Sequence, residues 1–198
     1  MTAVSTASTR QPRRVALLGV AGVLIVISAL ALAIKQAFGL VLEYQTLYSP
    51  SDGNGFGDLL PLFFLVALEA GPLIVAFVLL AVWARRALPS AVLLILAIAI
   101  PVGYVAEPTE LGNTVDFVHV IFAVLAGVFV LAGGFLGRRA GVLFLVAMLL
   151  FAFQVVSDIT QIFAGTLWGG AVAGFVLAAG YAAFGVALIL RWRSISRS

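Results

Sequence analysis

Apolar residues in this chain neither alternate with polar ones nor recur only at every third or fourth place. They run on almost unbroken, and the polar residues gather in short clusters between the runs. A helix needs about 20 mostly apolar residues to cross the hydrocarbon core of a bilayer. Six segments meet that standard, at 15–42, 58–84, 89–106, 116–137, 141–163 and 166–190. The pattern predicts an all-α fold: a polytopic membrane protein built as a bundle of six transmembrane helices. Open sheets are excluded because lipid offers no partner to a free strand edge. A barrel is excluded because its strands would alternate in polarity.

Composition agrees with this solvent. Of 198 residues, 64% are apolar and only 10% charged, against about 45–50% and 25% in soluble domains. That is too little charge to cover a surface in water, which rules out a soluble enzyme and a disordered chain. The net charge of +3 is not gathered into one patch, so a nucleic-acid partner is also excluded. Cysteine is absent, which removes disulfides, thiolate nucleophiles and thiolate-bound metals. The single histidine cannot clamp a haem within one chain. Neither a phosphate-cradling Gly-rich loop nor a nucleophile elbow is present. The sequence therefore indicates no catalytic residue, metal or cofactor.

The arginines set the orientation. Arg10, Arg13 and Arg14 precede the first span, Arg85 and Arg86 join spans two and three, Arg138 and Arg139 join four and five, and Arg191, Arg193 and Arg197 follow the sixth. With six spans all of them fall on one side, and no acidic residue joins them there. Basic loops stay in the cytoplasm, so both termini are expected there, in a multi-pass protein of the plasma (inner) membrane. Residues 1–14 then form a disordered tail, 15–190 the transmembrane domain and 191–198 a basic tail. The start of the chain has the charge pattern of a secretory signal, with Ala29-Leu30-Ala31 as a cleavage-like motif. Signal cores, however, are only about 7–15 residues long, and this apolar run is longer, so it reads as a retained anchor. Residues 44–57, dense in turn-forming residues, read as an external connector or a lid.

Ionisable residues inside spans cost about 2.5–3.5 kcal/mol each at a helix centre, and so call for a partner or a function. Glu69 lies about 16 Å along the helix from Asp58, near the bilayer midplane. Gly71 and Pro72 follow it, and Pro101 and Gly103 stand in the next span. All four are candidate hinges, because proline removes a helix hydrogen bond and glycine permits a bend. Two bent helices beside a carboxylate match the construction of many transporter sites. Gln154, Asp158 and Gln161 share one face of span five, and Asp116 and His119 stand one turn apart at the start of span four. Lys35, the only lysine, is expected near the outer interface, snorkelling to headgroups or pairing with Asp158, Glu107 or Asp116. Lys35, Glu107, Asp116, His119, Gln154, Asp158 and Gln161 would then line an outward-open vestibule with Glu69 as its floor.

Three functions follow from this reading. The first is a transporter or channel for a small solute or ion, with these residues as its binding site. The second is a non-catalytic subunit or assembly factor of a larger membrane complex. The third is an outer-leaflet enzyme. The expected partners are the lipid bilayer, a small solute or ion, and either further copies of the chain or a membrane-complex partner. The paired small residues Gly165/Gly169, Gly170/Gly174 and Gly133/Gly137 are expected to pack helices closely within the chain.

Overall fold

The structure is a computed structural model that describes residues 10–48, 59–84, 87–106, 138–160 and 169–197. These residues form five helices: α1 (Arg10–Tyr48), α2 (Leu59–Trp83), α3 (Ala87–Ala106), α4 (Arg138–Thr160) and α5 (Gly169–Ser196). No strand occurs among the described residues. Four helices carry an apolar stretch long enough to cross a membrane: Val15–Leu42, Phe63–Trp83, Arg139–Ser157 and Ala171–Ser196. The apolar part of α3, Ala87–Val102, is shorter. These helices correspond to the expected spans one, two, five, six and three. The expected fourth span, 116–137, lies outside the described residues, as do the first nine residues and 49–58.

The helices overrun their apolar stretches. α1 begins at Arg10, inside the segment expected to be a tail, and continues through Tyr48, past the expected start of the loop at residue 44. α5 continues to Ser196, through most of the expected C-terminal tail. Apolar length fixes how much helix lies in lipid, whereas a helix stops only where the chain loses helix-forming residues. The overhangs include Arg, Gln, Leu and Glu, which are good helix formers. The hydroxyls of Ser194 and Ser196 donate to the carbonyls of Arg191 and Arg193 at 2.8 and 3.2 Å in the last turns of α5.

The helices pack in the order α3–α2–α1–α5–α4, each mainly against its neighbours in that series. Leu18, Ile25, Phe77, Leu80, Leu96, Phe144, Phe151 and Leu188 fill the core between them. On the outward faces stand Leu30, Ile34, Val82, Ile98, Leu145 and Leu149, all well exposed. An apolar surface this continuous suits lipid and not water.

The α1–α5 contact is the closest. A β-carbon on Gly22 would meet the carbonyl oxygen of Gly185 at 2.7 Å, and one on Gly185 would meet the Gly22 oxygen at 2.7 Å. The two backbones therefore touch, as small residues allow in lipid, where packing replaces the hydrophobic drive between helices. Trp192 covers Gly19, and the Gln36 side chain fills the notch at Gly174. The sequence Gly19–Trp192, Gly22–Gly185, Gln36–Gly174 runs in opposite senses, so α1 and α5 are antiparallel. Phe144 with Phe184 and Phe151 with Tyr181 form edge-to-face pairs at 5.3 and 5.0 Å, and they set α4 antiparallel to α5 as well. Arg10, Arg13, Arg14, Arg138, Arg139, Arg191, Arg193 and Arg197 consequently gather at one end of this three-helix unit.

Gly22→Ala or Gly185→Ala is expected to lower stability by about 1–3 kcal/mol, because the facing backbone cannot yield without moving a helix. Gly39, with open space around it, supplies the control. Gly39→Ala is expected to be neutral or to stabilise by up to about 1 kcal/mol through helix propensity. Thermal unfolding midpoints in one detergent check both.

Candidate functional site

α1 and α2 are consecutive and apolar, yet each carries one ionisable residue on the face turned to the other. Lys35 Nζ lies 2.6 Å from Glu69 Oε2. The side chains are 19% and 12% exposed. The contact is an ion pair. Charges buried alone in an apolar medium are costly, and a paired ammonium and carboxylate relieve each other. The pair therefore holds α1 to α2 electrostatically as well as by packing.

This contact brings Glu69 to the level of Lys35, in the half of the bundle away from the arginines, rather than beneath it. Lys35 lies about 10 Å along α1 from Leu42, the end of its apolar stretch. The partner that the structure gives Lys35 is Glu69, a pairing absent from the sequence reading, which offered Asp158, Glu107 or Asp116.

Other polar side chains share this level. Gln36 follows Lys35 in the chain but turns to α5, where it occupies the space that a side chain on Gly174 would need. On α4, Ala140, Phe144, Ala147, Phe151, Gln154 and Ser157 are all buried and spaced three or four apart, which makes one continuous stripe. Its lower members pack on α5, with Phe151 against Gly180 and Tyr181. Because the helices are antiparallel, Ser157 comes level with Gly174, and Gln154 stands one turn deeper. Glu69, Lys35, Gln36, Gly174 and Ser157 thus form a polar layer across α2, α1, α5 and α4. Ser157 Oγ has no hydrogen-bond partner among the described residues. Ser28 of α1 lies deeper again and is also buried.

Of the residues singled out in the sequence, Lys35 and Glu69 meet, and Gln154 lies buried near their level. Asp158 belongs to α4, although its side chain is outside what is described. Glu107, Asp116, His119 and Gln161 lie outside the described residues. α2 stays helical through Gly71 and Pro72, and α3 through Pro101 and Gly103. Pro101 is exposed, on the far side of α3 from its buried face at Leu93, Leu96 and Ile100. Pro72 is half-buried, and by lacking an amide hydrogen it withdraws the donor that the Leu68 carbonyl would use, next to Glu69.

The chain matches no protein-family model, no curated protein and no solved structure.

Sequence reasoning missed Gln36 and Ser28. The available signal was small: Gln36 adjoins the only lysine, and Ser28 lies two turns from it on the same face. Among the described residues no three His, Cys, Asp or Glu side chains come together to hold a metal ion. What the layer can do chemically is bind: it offers one cation, one anion and neutral amide and hydroxyl groups within an apolar bundle.

Removing one member of the ion pair strands the other. Lys35→Met and Glu69→Leu singly are each expected to cost about 3 kcal/mol, and the double variant less than either. A double-mutant cycle on unfolding midpoints in detergent measures the coupling.

Proposed function

We propose that the protein is an integral membrane transporter or channel for a small solute or ion, and that the Lys35–Glu69 pair is its binding centre. The observation that supports this most strongly is the pair itself, 2.6 Å apart and largely shielded between two apolar helices. Ionisable groups within spans are expensive to keep and typically mark pathways for ions, protons or solutes. An arriving ion or proton competes with the Lys35 ammonium for the Glu69 carboxylate, so the pair opens as the site fills. Pro72, near Glu69, frees the Leu68 carbonyl without breaking α2, which leaves a second oxygen acceptor close to the carboxylate.

In this reading the bundle has six spans, with the fourth contributed by 116–137, and Asp116, His119, Glu107, Asp158 and Gln161 complete the outer side of the site. Both termini are cytoplasmic and the membrane is the plasma (inner) membrane. The placement of the arginines supports the orientation. α1 and α4 carry arginines at their N-terminal ends and no acidic residue in the first turn, although the helix dipole favours acids there. α5 carries its arginines at the opposite, C-terminal end. The charges follow the side of the molecule and not the direction of the helix, as a rule of retained cytoplasmic arginines requires.

Glu69→Gln keeps the size of the side chain and removes its charge. In proteoliposomes it is expected to reduce uptake of the transported ion or solute at least tenfold, equivalent to about 1.4 kcal/mol. Uptake is compared at equal protein incorporation, across a panel of monovalent cations and small neutral solutes. Unchanged uptake and unchanged pH dependence would leave the pair as a structural tie and overturn the reading.

A further inference from the structure

We propose that Ser28 is a second ligand position on the same route, and that the species it binds is a small monovalent cation held by oxygen. The inference rests on the transport reading above, to which it adds the class of ion and the helix interface it follows.

Ser28 is 1% exposed, and its Oγ has no hydrogen-bond partner among the described residues. A serine within a helix commonly turns its hydroxyl back onto the carbonyl four residues earlier, here that of Leu24, and this one does not. A buried hydroxyl left without a bond is unfavourable, so its retention at this place calls for a ligand.

The position is specific. Ser28 and Lys35 stand seven residues, or two turns, apart, so they share one face of α1. The contact of Lys35 with Glu69 shows that this face looks toward α2. Gly22 and Gln36 mark a different face, held against α5. Ser28 therefore lies in the α1/α2 interface, about 10 Å further in than Lys35. Lys35 lies toward the end of α1 and Glu69 toward the start of α2, as in an antiparallel pair. The α2 residue at the level of Ser28 is then Ala76, seven residues on from Glu69 and fully buried. By this register Ser28 and Ala76 stand at one level, one step inward from Lys35 and Glu69, and both are buried. Deeper still, Ala21, Leu24 and Leu80 close the interface with apolar groups, so Ser28 carries the innermost side-chain oxygen on this face.

The chemistry selects the ion. Among the described residues, the polar side-chain groups along this face apart from the Lys35 ammonium are a carboxylate and a hydroxyl, both oxygen ligands suited to hard cations. With a single negative charge, the route matches a monovalent ion. Lys35 stands in for that ion at Glu69 and yields to it. Ser28 then receives the ion once it has left the carboxylate.

The chain has no cysteine, so Ser28→Cys introduces a single, nearly isosteric thiol. The full-length protein in liposomes is treated with a cationic ethylammonium methanethiosulfonate and with its anionic sulfonatoethyl counterpart. Ala29→Cys, buried on the face that shares Gly22, serves as the reference. The Ser28→Cys thiol is expected to react with the cationic reagent at least about tenfold faster than with the anionic one, and tenfold faster than the reference thiol, with sodium slowing the reaction. Equal rates at the two positions, or preference for the anionic reagent, would overturn the assignment. Ser28→Ala gives an independent reading. If the hydroxyl is only a passenger, its removal raises the unfolding midpoint and leaves sodium uptake unchanged, which also overturns the proposal. The expected result is sodium uptake lowered about tenfold with the midpoint equal or higher. Thiol reactivity needs no transport, so the two readings fail separately: intact uptake by Glu69→Gln removes the transporter, and equal thiol rates remove the Ser28 station alone.

Discussion

Hydrocarbon cannot solvate a charge, and this chain places one lysine and one glutamate within helices made for hydrocarbon. That constraint governs the arrangement of the first half of the bundle. For Lys35 and Glu69 to meet at 2.6 Å, α1 must turn one face to α2, and α2 must slide until its carboxylate stands level with the ammonium. Once α1 is turned in this way, Gly22 and Gln36 necessarily face the other neighbour, where Gly185 and Gly174 receive them. The ion pair and the glycine contact are thus two consequences of one rotational setting of α1.

The two interfaces of α1 differ in kind. Against α5 the backbones themselves touch, and nothing larger than hydrogen fits between Gly22 and Gly185. Contact of this sort is rigid, because interiors at close packing have little room to adjust. Against α2 the contact includes an ionic link between two long side chains, Lys35 and Glu69. Two long flexible side chains tolerate changes of partner more easily than two touching backbones. The chemistry accordingly lies at the softer interface, and the firmer one supports it.

Much of the fold was legible in the sequence, for a simple reason. Span length is a property of one segment in its solvent, so runs of apolar residues mark α1, α2, α4 and α5 without reference to any neighbour. Helix ends were less legible, because polarity marks where lipid ends and not where the helix does. The site was legible in its members but not in its geometry. Lys35 and Glu69 stood out because ionisable residues in spans are rare. Their pairing depends on the sliding of α2 against α1, and no periodicity within either segment encodes that. The glycines show the same limit. Gly174 belonged to a recognised small-residue pair, yet its partner is the Gln36 side chain. The closest backbone contact falls at Gly22 and Gly185, outside all the pairs that spacing had picked out.

The apolar stretches of the five helices are unequal, and this bears on the membrane itself. That of α1 runs 28 residues, Val15–Leu42, whereas those of α2 and α4 have 21 and 19, and that of α3, Ala87–Val102, is shorter still. In α5, Arg191 and Arg193 close the apolar run at Leu190. At 1.5 Å per residue, the stretch of α1 measures about 40 Å, against a hydrocarbon thickness of about 30 Å. Such an excess is met by tilting the helix or by thickening the lipid beside it. Because the backbones of α1 and α5 touch at Gly22 and Gly185, a tilt of α1 carries α5 with it.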